Sequence, residues 1–313
     1  MKGQRPTTKV RRLSSVHKTV LANGLQFAYL EEGSGPLILC LHGFPDTPHT
    51  FDGVLPLLAA AGYRAIAPWT RGIYPTAIPG DNDYSPLQLG RDALALIEAL
   101  GESRAVVLGQ DWGAMSAYAA ASLDPAAVAR MITAAIPHPR AIRMDPRLMF
   151  RGWHFAFLTI PGISEFAARW NNFALLEHFL HAWSPGMKID PRLLALVKSA
   201  YSEPGCLKAA LGYYRSMPLT FAGIGRRRKD RDILFSRTSV PTLCFAGLED
   251  GVFDEAVFDR TPEAFTGPYE LVKMQHAGHF LHLQQPAEFA SRVLAFVGES
   301  DPWRIANESP SLQ

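Results

Sequence analysis

The sequence predicts an α/β protein with a mostly parallel central sheet, helices on both faces and a helical insertion. Three observations lead to this prediction. Short apolar runs alternate with helix-forming segments through residues 17–139, the pattern of a doubly wound sheet. The stretch 105–121 has the features of a strand, a sharp turn and a helix. Between residues 140 and 235 the apolar strands disappear, and segments rich in Trp, Phe and Leu replace them.

The first predicted element is a β-hairpin. Apolar and polar residues alternate from His17 to Leu30 around Asn23-Gly24, a dipeptide typical of two-residue hairpin turns. We therefore expect two antiparallel edge strands at the start of the fold.

Buried parallel strands follow. The run LILCL at 37–41 is too short for a helix and too apolar for a half-exposed strand. Helical patterns at 55–61 and 87–100 flank a strand from Tyr63 to Pro68 and a loop rich in Gly and Pro. The strand beginning at Ala105 completes this first set.

The second half of the chain contains the insertion and the end of the sheet. A strand at 130–136 precedes helix-like segments at 153–158, 173–183, 191–201 and 206–217. Strands then resume within 240–251 and 269–280, and a helix at 286–298 closes the pattern. We expect a core formed by 1–139 and 236–298, a helical cap at 140–235 and a tail at 299–313.

Composition limits the classes of partner. The chain has 313 residues, 48% hydrophobic and 19% charged, with a net charge of +2, which gives no reason to expect nucleic-acid binding. No segment has eighteen consecutive apolar residues, and the basic N-terminus lacks the apolar stretch of a secretory signal, so we expect no membrane insertion. Three widely spaced cysteines favour a reducing compartment, here the cytoplasm. A homodimer and a monomer are both open.

The turn after the strand at 105–110 is the first candidate site. Gly109 and Gly113 flank Asp111, and small residues at these positions let a central side chain stand clear on a strained backbone, as in a nucleophile elbow. Aspartate also caps helices, so the turn alone leaves a capping role for Asp111 open.

Four motifs follow predicted strands in order: HGFP at 42–45, GQDWG at 109–113, GLEDG at 247–251 and AGHF at 277–280. Together they resemble the α/β-hydrolase fold, in the branch with an aspartate nucleophile that contains epoxide hydrolases and haloalkane dehalogenases. The resemblance spans about residues 17–298. Its chain order of nucleophile, acid and histidine matches that fold.

The resemblance implies a role for each of five residues. Asp111 would be the nucleophile, His279 the general base and Asp250 the acid that orients the imidazole. The backbone amides of Phe44 and Trp112 would form the oxyanion hole.

Two alternatives concern the acid and the histidine. Glu249 is the nearest competitor of Asp250, but its position one residue earlier should turn it away from His279. A metal cluster is a second alternative, because three histidines are spaced three residues apart at 276, 279 and 282. Gly278 breaks any helix there and no carboxylate or cysteine completes the set, so we expect neither a metal nor a cofactor.

An aspartate nucleophile points to different chemistry from a serine. A carboxylate is already ionised near neutral pH, so it attacks a saturated carbon without a base and forms an alkyl ester. Epoxides and alkyl halides share this step and differ in how the leaving group is stabilised. In epoxide hydrolases two cap tyrosines usually bind the ring oxygen.

The cap positions that match those tyrosines are Tyr214 and His154. The resemblance therefore implies a His/Tyr donor pair, as in one branch of bacterial epoxide hydrolases. We also expect Trp112, Phe155 and Tyr213 to contact the substrate. Ordinary packing of an aromatic-rich cap is the alternative for all of these cap residues.

The leaving group decides between the candidate functions. Trp112 and Met115 stand where fluoroacetate dehalogenases carry arginines, and Phe44 stands where many haloalkane dehalogenases carry asparagine. The sequence thus predicts a cofactor-free epoxide hydrolase that converts a small hydrophobic epoxide into a vicinal diol. A haloalkane or haloacid dehalogenase is the alternative, and a non-catalytic ligand-binding protein is a further one.

Overall fold

A computed structural model describes residues 17–143, 146–225 and 227–298. Its centre is an eight-stranded sheet with the strand order β1-β2-β4-β3-β5-β6-β7-β8. The strands are β1 Lys18–Ala22, β2 Leu25–Glu32, β3 Leu37–Leu41, β4 Arg64–Pro68, β5 Ala105–Gln110, β6 Val128–Ala134, β7 Thr242–Gly247 and β8 Tyr269–Met274. The strands β4, β3, β5, β6, β7 and β8 run parallel, which confirms the predicted α/β class.

The N-terminal hairpin forms at the predicted turn. Asn23 and Gly24 have φ angles of 45° and 74°, the left-handed values that a tight hairpin turn requires. However, β2 also pairs with β4 in antiparallel register, with Tyr29 opposite Pro68. Of the two hairpin strands only β1 lies at an edge of the sheet, so the expectation of two edge strands is wrong for β2. Residues 29–32 of β2 gain this second neighbouring strand, which sequence alternation alone does not reveal.

Helices cover both faces of the sheet. On one face α2, Pro86–Ala99, packs against α3, Trp112–Leu123. On the other face α1, Leu55–Ala60, packs against the C-terminal helix Pro286–Gly298, here called α12. Two separate apolar clusters result, one on each side of strands such as β3 and β5, whose residues are buried throughout. Burial on both faces explains why these strands are continuous apolar runs.

The segment between β6 and β7 forms the cap. Its helices are α4 Pro146–Arg151, α5 Trp153–Phe157, α6 Ile163–Trp183, α7 Pro191–Ser202, α8 Cys206–Ala222 and α9 Arg227–Leu234. The helix α6 is interrupted at 170–173, where Asn171, Asn172 and Phe173 have left-handed φ angles of 48°, 54° and 61°. Two short helices, α10 Glu255–Phe258 and α11 Leu281–Gln284, complete the chain order before α12. The domain boundaries at 139/140 and 235/236 stay predictions.

Several expectations concern segments at the ends of the chain. The predicted tail at 299–313 and the basic N-terminal segment 1–16 lie outside the described residues. Within the described ranges, none of the helices has the length and apolar character needed to cross a membrane.

Cys40, Cys206 and Cys244 are all buried and unpaired with one another.

Candidate active site

Asp111 stands on a sharp turn between β5 and α3. Its φ and ψ angles are 52° and −121°, a strained conformation for a residue with a side chain. A Cβ atom on Gly109 would lie 2.1 Å from the carbonyl oxygen of Gly113, and one on Gly113 would lie 1.9 Å from that of Leu41. Both positions therefore require glycine. The turn has the geometry of the nucleophile elbow that the small residues predict.

Three side chains predicted to act together are in contact. The Nε2 atom of His279 lies 3.2 Å from Oδ2 of Asp111, and its Nδ1 atom lies 2.9 Å from Oδ2 of Asp250. All three residues are buried, and the imidazole is fully removed from solvent. The ring of His279 thus bridges two carboxylates, which is the arrangement of an acid, a histidine and a nucleophile.

The two carboxylates control the protonation of His279. Burial alone would lower its pKa, but the charges of Asp250 and Asp111 and their hydrogen bonds outweigh burial and raise the pKa to about 10. The raised pKa favours the protonated imidazole at neutral pH as long as the two carboxylates lie beside it. Any step that removes the charge of Asp111 therefore lowers the pKa of His279 and favours the neutral imidazole, the form that can accept a proton.

The loop after β7 holds Asp250 in place. Its Oδ1 atom accepts hydrogen bonds from the backbone N–H groups of Val252 at 2.7 Å and Phe253 at 3.2 Å, which leaves Oδ2 for His279. The competing acid, Glu249, lies instead 3.4 Å from exposed His276. The structure thus places Asp250, and not Glu249, against the imidazole.

The loop after β3 supplies a backbone donor. The N–H of Phe44 donates to Oδ1 of Asp111 at 2.8 Å, so this amide already points at the carboxylate. A Cβ on Gly43 would lie 2.3 Å from Asp111, so the loop can approach only with glycine there. Trp112, the other expected donor, is the first residue of α3, and the N–H groups of a first helical turn have no partner within the helix.

His42 fixes that loop. Its Nε2 atom accepts from the backbone N–H of Thr70 at 3.1 Å, so its Nδ1–H can donate to the carbonyl of Gly43 at 2.9 Å. Burial lowers the pKa of His42 to about 4, which keeps the ring neutral. His42 thus has structural contacts on both nitrogens.

The cap places Tyr214 and His154 above the elbow. The ring of Tyr214 lies 5.2 Å from those of Phe44 and Trp112, and 6.5 Å from the ring of His154. Both side chains are almost completely buried. Burial raises the pKa of Tyr214 and the charge of Asp111 raises it further, which shows that the phenol lies within the field of the carboxylate.

His154 is a neutral imidazole in an aromatic setting. Burial lowers its pKa to about 4, and the neighbouring charge of His279 lowers it too. Its ring lies 4.6 Å from Trp183 and 4.3 Å from Phe155, and its buried Nδ1 atom has no hydrogen-bond partner among the described residues. A buried polar atom without a partner is costly, so a ligand atom could satisfy it.

Phe155 and Tyr213, the other two expected substrate contacts of the cap, make different kinds of contact in the folded protein. Phe155 belongs to the aromatic group, 6.3 Å from Tyr214 and 6.2 Å from Phe253. The hydroxyl of Tyr213 instead donates to the backbone carbonyl of Arg71 at 2.6 Å, so it is occupied. Substrate contacts by both residues stay predictions.

The end of α6 holds the histidine loop, a contact that the sequence did not indicate. The carbonyl of Trp183 accepts from the backbone N–H groups of His279 at 2.9 Å and Gly251 at 3.1 Å, and Oγ of Ser184 accepts from that of Phe280 at 2.8 Å. The indole of Trp183 also lies 5.3 Å from the His279 ring. The cap therefore positions His279 directly.

Two motif glycines are required by this contact. A Cβ on Gly251 would lie 2.1 Å from the carbonyl oxygen of Ala182, and one on Gly278 would lie 2.6 Å from the Cα of Ser184. These glycines signal a close backbone approach in the sequence, but not which segment approaches.

A further buried acid near the site, Asp46, is one that the sequence analysis does not single out. Its Oδ1 atom accepts from the N–H of Thr47 at 2.8 Å, while Oδ2 is buried with no hydrogen-bond partner among the described residues. Burial raises the pKa of Asp46 to about 7. In the sequence, the only indication that Asp46 lies near the site is its place directly after the HGFP motif.

The three closely spaced histidines have separate environments. His279 contacts the two carboxylates, His276 is exposed beside Glu249, and Nε2 of His282 lies 2.5 Å from Oγ1 of Thr50. Within the described residues, no group of three or more potential ligands is arranged to hold a metal ion.

Comparison with known proteins agrees with this architecture. Residues 36–286 match the model of the α/β-hydrolase fold family. The chain is 33% identical to epoxide hydrolase 2 of Siraitia grosvenorii, with 90% of this chain and 98% of the relative covered. It is 26% identical to epoxide hydrolase A of Mycobacterium tuberculosis, with 90% and 96% covered.

Solved structures show the same fold. An epoxide hydrolase from Vigna radiata superposes with a TM-score of 0.77 at 24% identity, over 91% of this chain and 98% of that one. The family match spans most of the described core and cap, and the relative of higher identity is covered almost completely. The chain therefore belongs to the α/β-hydrolase fold family, in its epoxide hydrolase branch.

Proposed function

We propose that the protein hydrolyses small hydrophobic epoxides to vicinal diols through an alkyl ester on Asp111. The observation that carries the proposal is the contact of the Asp111 carboxylate with both the Phe44 amide at 2.8 Å and the His279 imidazole at 3.2 Å. Relatives along nearly the whole chain are epoxide hydrolases by name, which supports the same reaction class.

The first step opens the ring. An oxygen of Asp111 attacks one epoxide carbon, the C–O bond of the ring breaks, and its electron pair stays on the oxygen as an alkoxide. Tyr214 and His154, which converge on the elbow from the cap, donate hydrogen bonds to that oxygen, and the alkoxide takes a proton from this pair.

The second step hydrolyses the ester. Esterification removes the charge of Asp111, one of the two carboxylates that raise the pKa of His279. The lowered pKa lets the imidazolium release its proton, which replaces the one that the Tyr214/His154 pair gave to the alkoxide. The neutral ring then accepts a proton from the water that attacks the ester carbonyl carbon. The Phe44 and Trp112 amides stabilise the tetrahedral oxyanion. Its collapse breaks the bond between the carbonyl carbon and the alkyl oxygen, which takes the proton of the added hydroxyl, so the diol leaves and the Asp111 carboxylate is restored.

The reaction class is tested by product analysis. We expect the purified protein to convert styrene oxide or a related aryl or alkyl epoxide to its diol and to release no halide from bromo- and chloroalkanes. Halide release without diol formation would establish the dehalogenase alternative. A folded protein that turns over neither class would instead favour a ligand-binding role.

The ester intermediate is tested with His279→Gln. This variant retains the nucleophile but lacks the base, so we expect an adduct of one substrate mass on Asp111 by intact mass spectrometry and peptide mapping. His276→Gln is the matched control, since His276 is exposed and three residues away, and it should turn over normally. Absence of any adduct with a substrate that the wild type consumes would contradict the mechanism.

A further inference from the structure

Gln110, a residue of the GQDWG motif, has no part in the mechanism proposed above. It is the last residue of β5 and directly precedes Asp111. It carries the one polar side chain of that strand, and this side chain is fully buried. Burying an amide costs free energy unless it is hydrogen-bonded, so the contacts of Gln110 should explain why a polar residue stands there.

The amide of Gln110 is bonded to the backbone of the loop that carries His279. Its Nε2 atom donates to the backbone carbonyl of His279 at 3.2 Å, across 169 positions of the chain. A carbonyl oxygen can only accept, so this contact fixes which end of the amide faces His279. The other end, Oε1, is buried without a hydrogen-bond partner among the described residues. Within that part of the chain, the bond to His279 is therefore the one hydrogen bond of this side chain.

His279 is thus held through both of its backbone groups. Its N–H donates to the carbonyl of Trp183 on the cap at 2.9 Å, and its C=O accepts from Gln110 on the sheet. The backbone from which the imidazole extends is fixed to both parts of the protein. Because Gln110 and Asp111 are consecutive, the bond on the sheet side ties His279 to the neighbour of Asp111.

The bond from Gln110 does not depend on the charge of Asp111. In the free enzyme the Asp111 carboxylate also holds the imidazole, with Oδ2 at 3.2 Å from Nε2 of His279. Esterification removes that charge and with it the ion pair. It is in the ester state that His279 must deprotonate a water beside the Asp111 carbonyl carbon. The contacts of His279 with Asp250 and Gln110 do not depend on the charge that is lost.

We infer that Gln110 is a positioning residue that keeps His279 aligned with the Asp111 ester while the ester is hydrolysed. The inference rests on the proposed function, since it concerns the second step of that mechanism. Gln110 acts through the backbone of His279 and not on the substrate itself. Its loss should therefore slow ester hydrolysis and leave ester formation, which needs the Asp111 carboxylate and the cap donors, nearly unchanged.

The test is a single-turnover experiment with Gln110→Met. Methionine is unbranched like glutamine but has no N–H donor, and its flexible side chain fills irregular apolar spaces. With an aryl or alkyl epoxide that the wild type converts to its diol, rapid quench and intact mass spectrometry follow the esterified enzyme. We expect ester hydrolysis to slow by about 10-fold or more and ester formation to stay within about 3-fold, so that the ester accumulates.

Gln285→Met is the matched control. The Gln285 amide also donates to backbone carbonyls of the same loop, at 2.6 Å to Gln275 and 3.2 Å to His276. Its loss should leave both steps at their wild-type rates. Gln110→Asn is a second variant that keeps an amide but is one methylene shorter, so it should not reach the His279 carbonyl and should accumulate ester like Gln110→Met. Circular dichroism checks that each variant is folded.

The outcomes separate a failure of this inference from a failure of the mechanism. If the wild type forms the ester and folded Gln110→Met and Gln110→Asn hydrolyse it at the wild-type rate, the positioning role of Gln110 is wrong. Equal slowing of both steps would also overturn it, because a general loss of structure would then explain the effect. Diol formation by the wild type with no ester trapped in His279→Gln would overturn the proposed mechanism, and the inference with it.

Discussion

Asp111 affects the pKa of His279 through its charge, in addition to its proposed role as the nucleophile. While it is a carboxylate, it helps Asp250 raise the pKa of the imidazole, and as an ester it no longer does. In the proposed mechanism the same residue attacks the substrate and, once esterified, lets His279 become the neutral base of the second step. The 3.2 Å contact between the two side chains makes this coupling direct.

Replacing Tyr214 should slow ring opening selectively. Tyr214→Phe removes the phenol that lies in the field of Asp111 but keeps the aromatic packing with Phe44 and Trp112. We expect the rate of ester formation to fall by about 10²–10⁴-fold, without accumulation of the ester. Rapid-quench measurement of the alkylated enzyme in a single turnover checks this.

Tyr213→Phe is the matched control, because it removes a hydroxyl that is bonded to the Arg71 carbonyl. It should lower stability by about 1 kcal/mol and leave the alkylation rate of folded protein within a few fold. The assignment of donors would be wrong if Tyr213→Phe blocked alkylation and Tyr214→Phe did not.

At the scale of elements, the C-terminal end of α6 couples the cap to the triad. Trp183 and Ser184 hold the backbone of the loop that carries His279, and Gly251 and Gly278 permit the close approach. A cap movement that shifts this end of α6 must therefore also shift the base. The elbow with Asp111 lies on β5 and α3 and has no such backbone contact with α6 among the described residues.

This asymmetry predicts a selective effect of Ser184→Ala. The loss of the Phe280 N–H···Oγ bond should loosen His279 and slow ester hydrolysis by about 10-fold, because a misplaced base is less effective. Ester formation should be nearly unchanged. Intact mass spectrometry during turnover should then show more alkylated enzyme than in the wild type.

Ser202→Ala is the control for this prediction. Ser202 is a cap serine whose hydroxyl bonds only to the backbone carbonyl of Lys198 on its own helix, α7. It should not change the fraction of esterified enzyme. Equal slowing of both steps in Ser184→Ala would indicate a general loss of structure instead of a positioning role.

For the molecule as a whole, buried neutral histidines make stability depend on acidity. Burial lowers the pKa of His138 and His282 to about 3 and that of His42 and His154 to about 4. The unfolded chain binds these protons near the ordinary value of 6.5, so acid favours unfolding. Stability from these groups is complete above about pH 6.5 and is lost as the pH falls toward 4.

We expect the free energy of unfolding to decrease from pH 7 to pH 4, with a slope of up to about 1.4 kcal/mol per pH unit from each histidine. Urea titrations at fixed pH values measure this slope. His138→Asn, which keeps an acceptor for the backbone N–H of Arg140, should reduce the slope. An unchanged slope would contradict burial as its cause.

His279 acts in the opposite direction. Its folded pKa is raised to about 10, so its contribution is complete below about pH 6.5 and is lost as the pH rises through 10. The free energy of unfolding should therefore be greatest near about pH 6.5. Below this pH protonation of the buried neutral histidines lowers it, and above this pH the stabilisation from His279 is progressively lost.

The sequence by itself determined the elements and the candidate chemistry. Strands such as β3 and β5 are buried on both faces, so they are unbroken apolar runs in the sequence. The hairpin is recognisable from Asn23-Gly24, because these two residue types readily adopt the left-handed φ angles of a tight turn. Residues that follow parallel strands must meet at one sheet edge, which is why Asp111, Asp250 and His279 could be chosen together. These signals depend on local pattern and on chain order.

Only the tertiary structure decided what those elements meet. In the folded protein β2 lies inside the sheet, between β1 and β4. The Tyr213 hydroxyl donates a hydrogen bond to the Arg71 carbonyl. The Ser184 hydroxyl accepts one from the N–H of Phe280, 96 residues further along the chain. The tertiary structure also left Trp153 and Trp170 of the cap exposed, although such aromatic side chains could have built a cap core. Each outcome depends on contacts between distant segments, which hydrophobic periodicity does not encode.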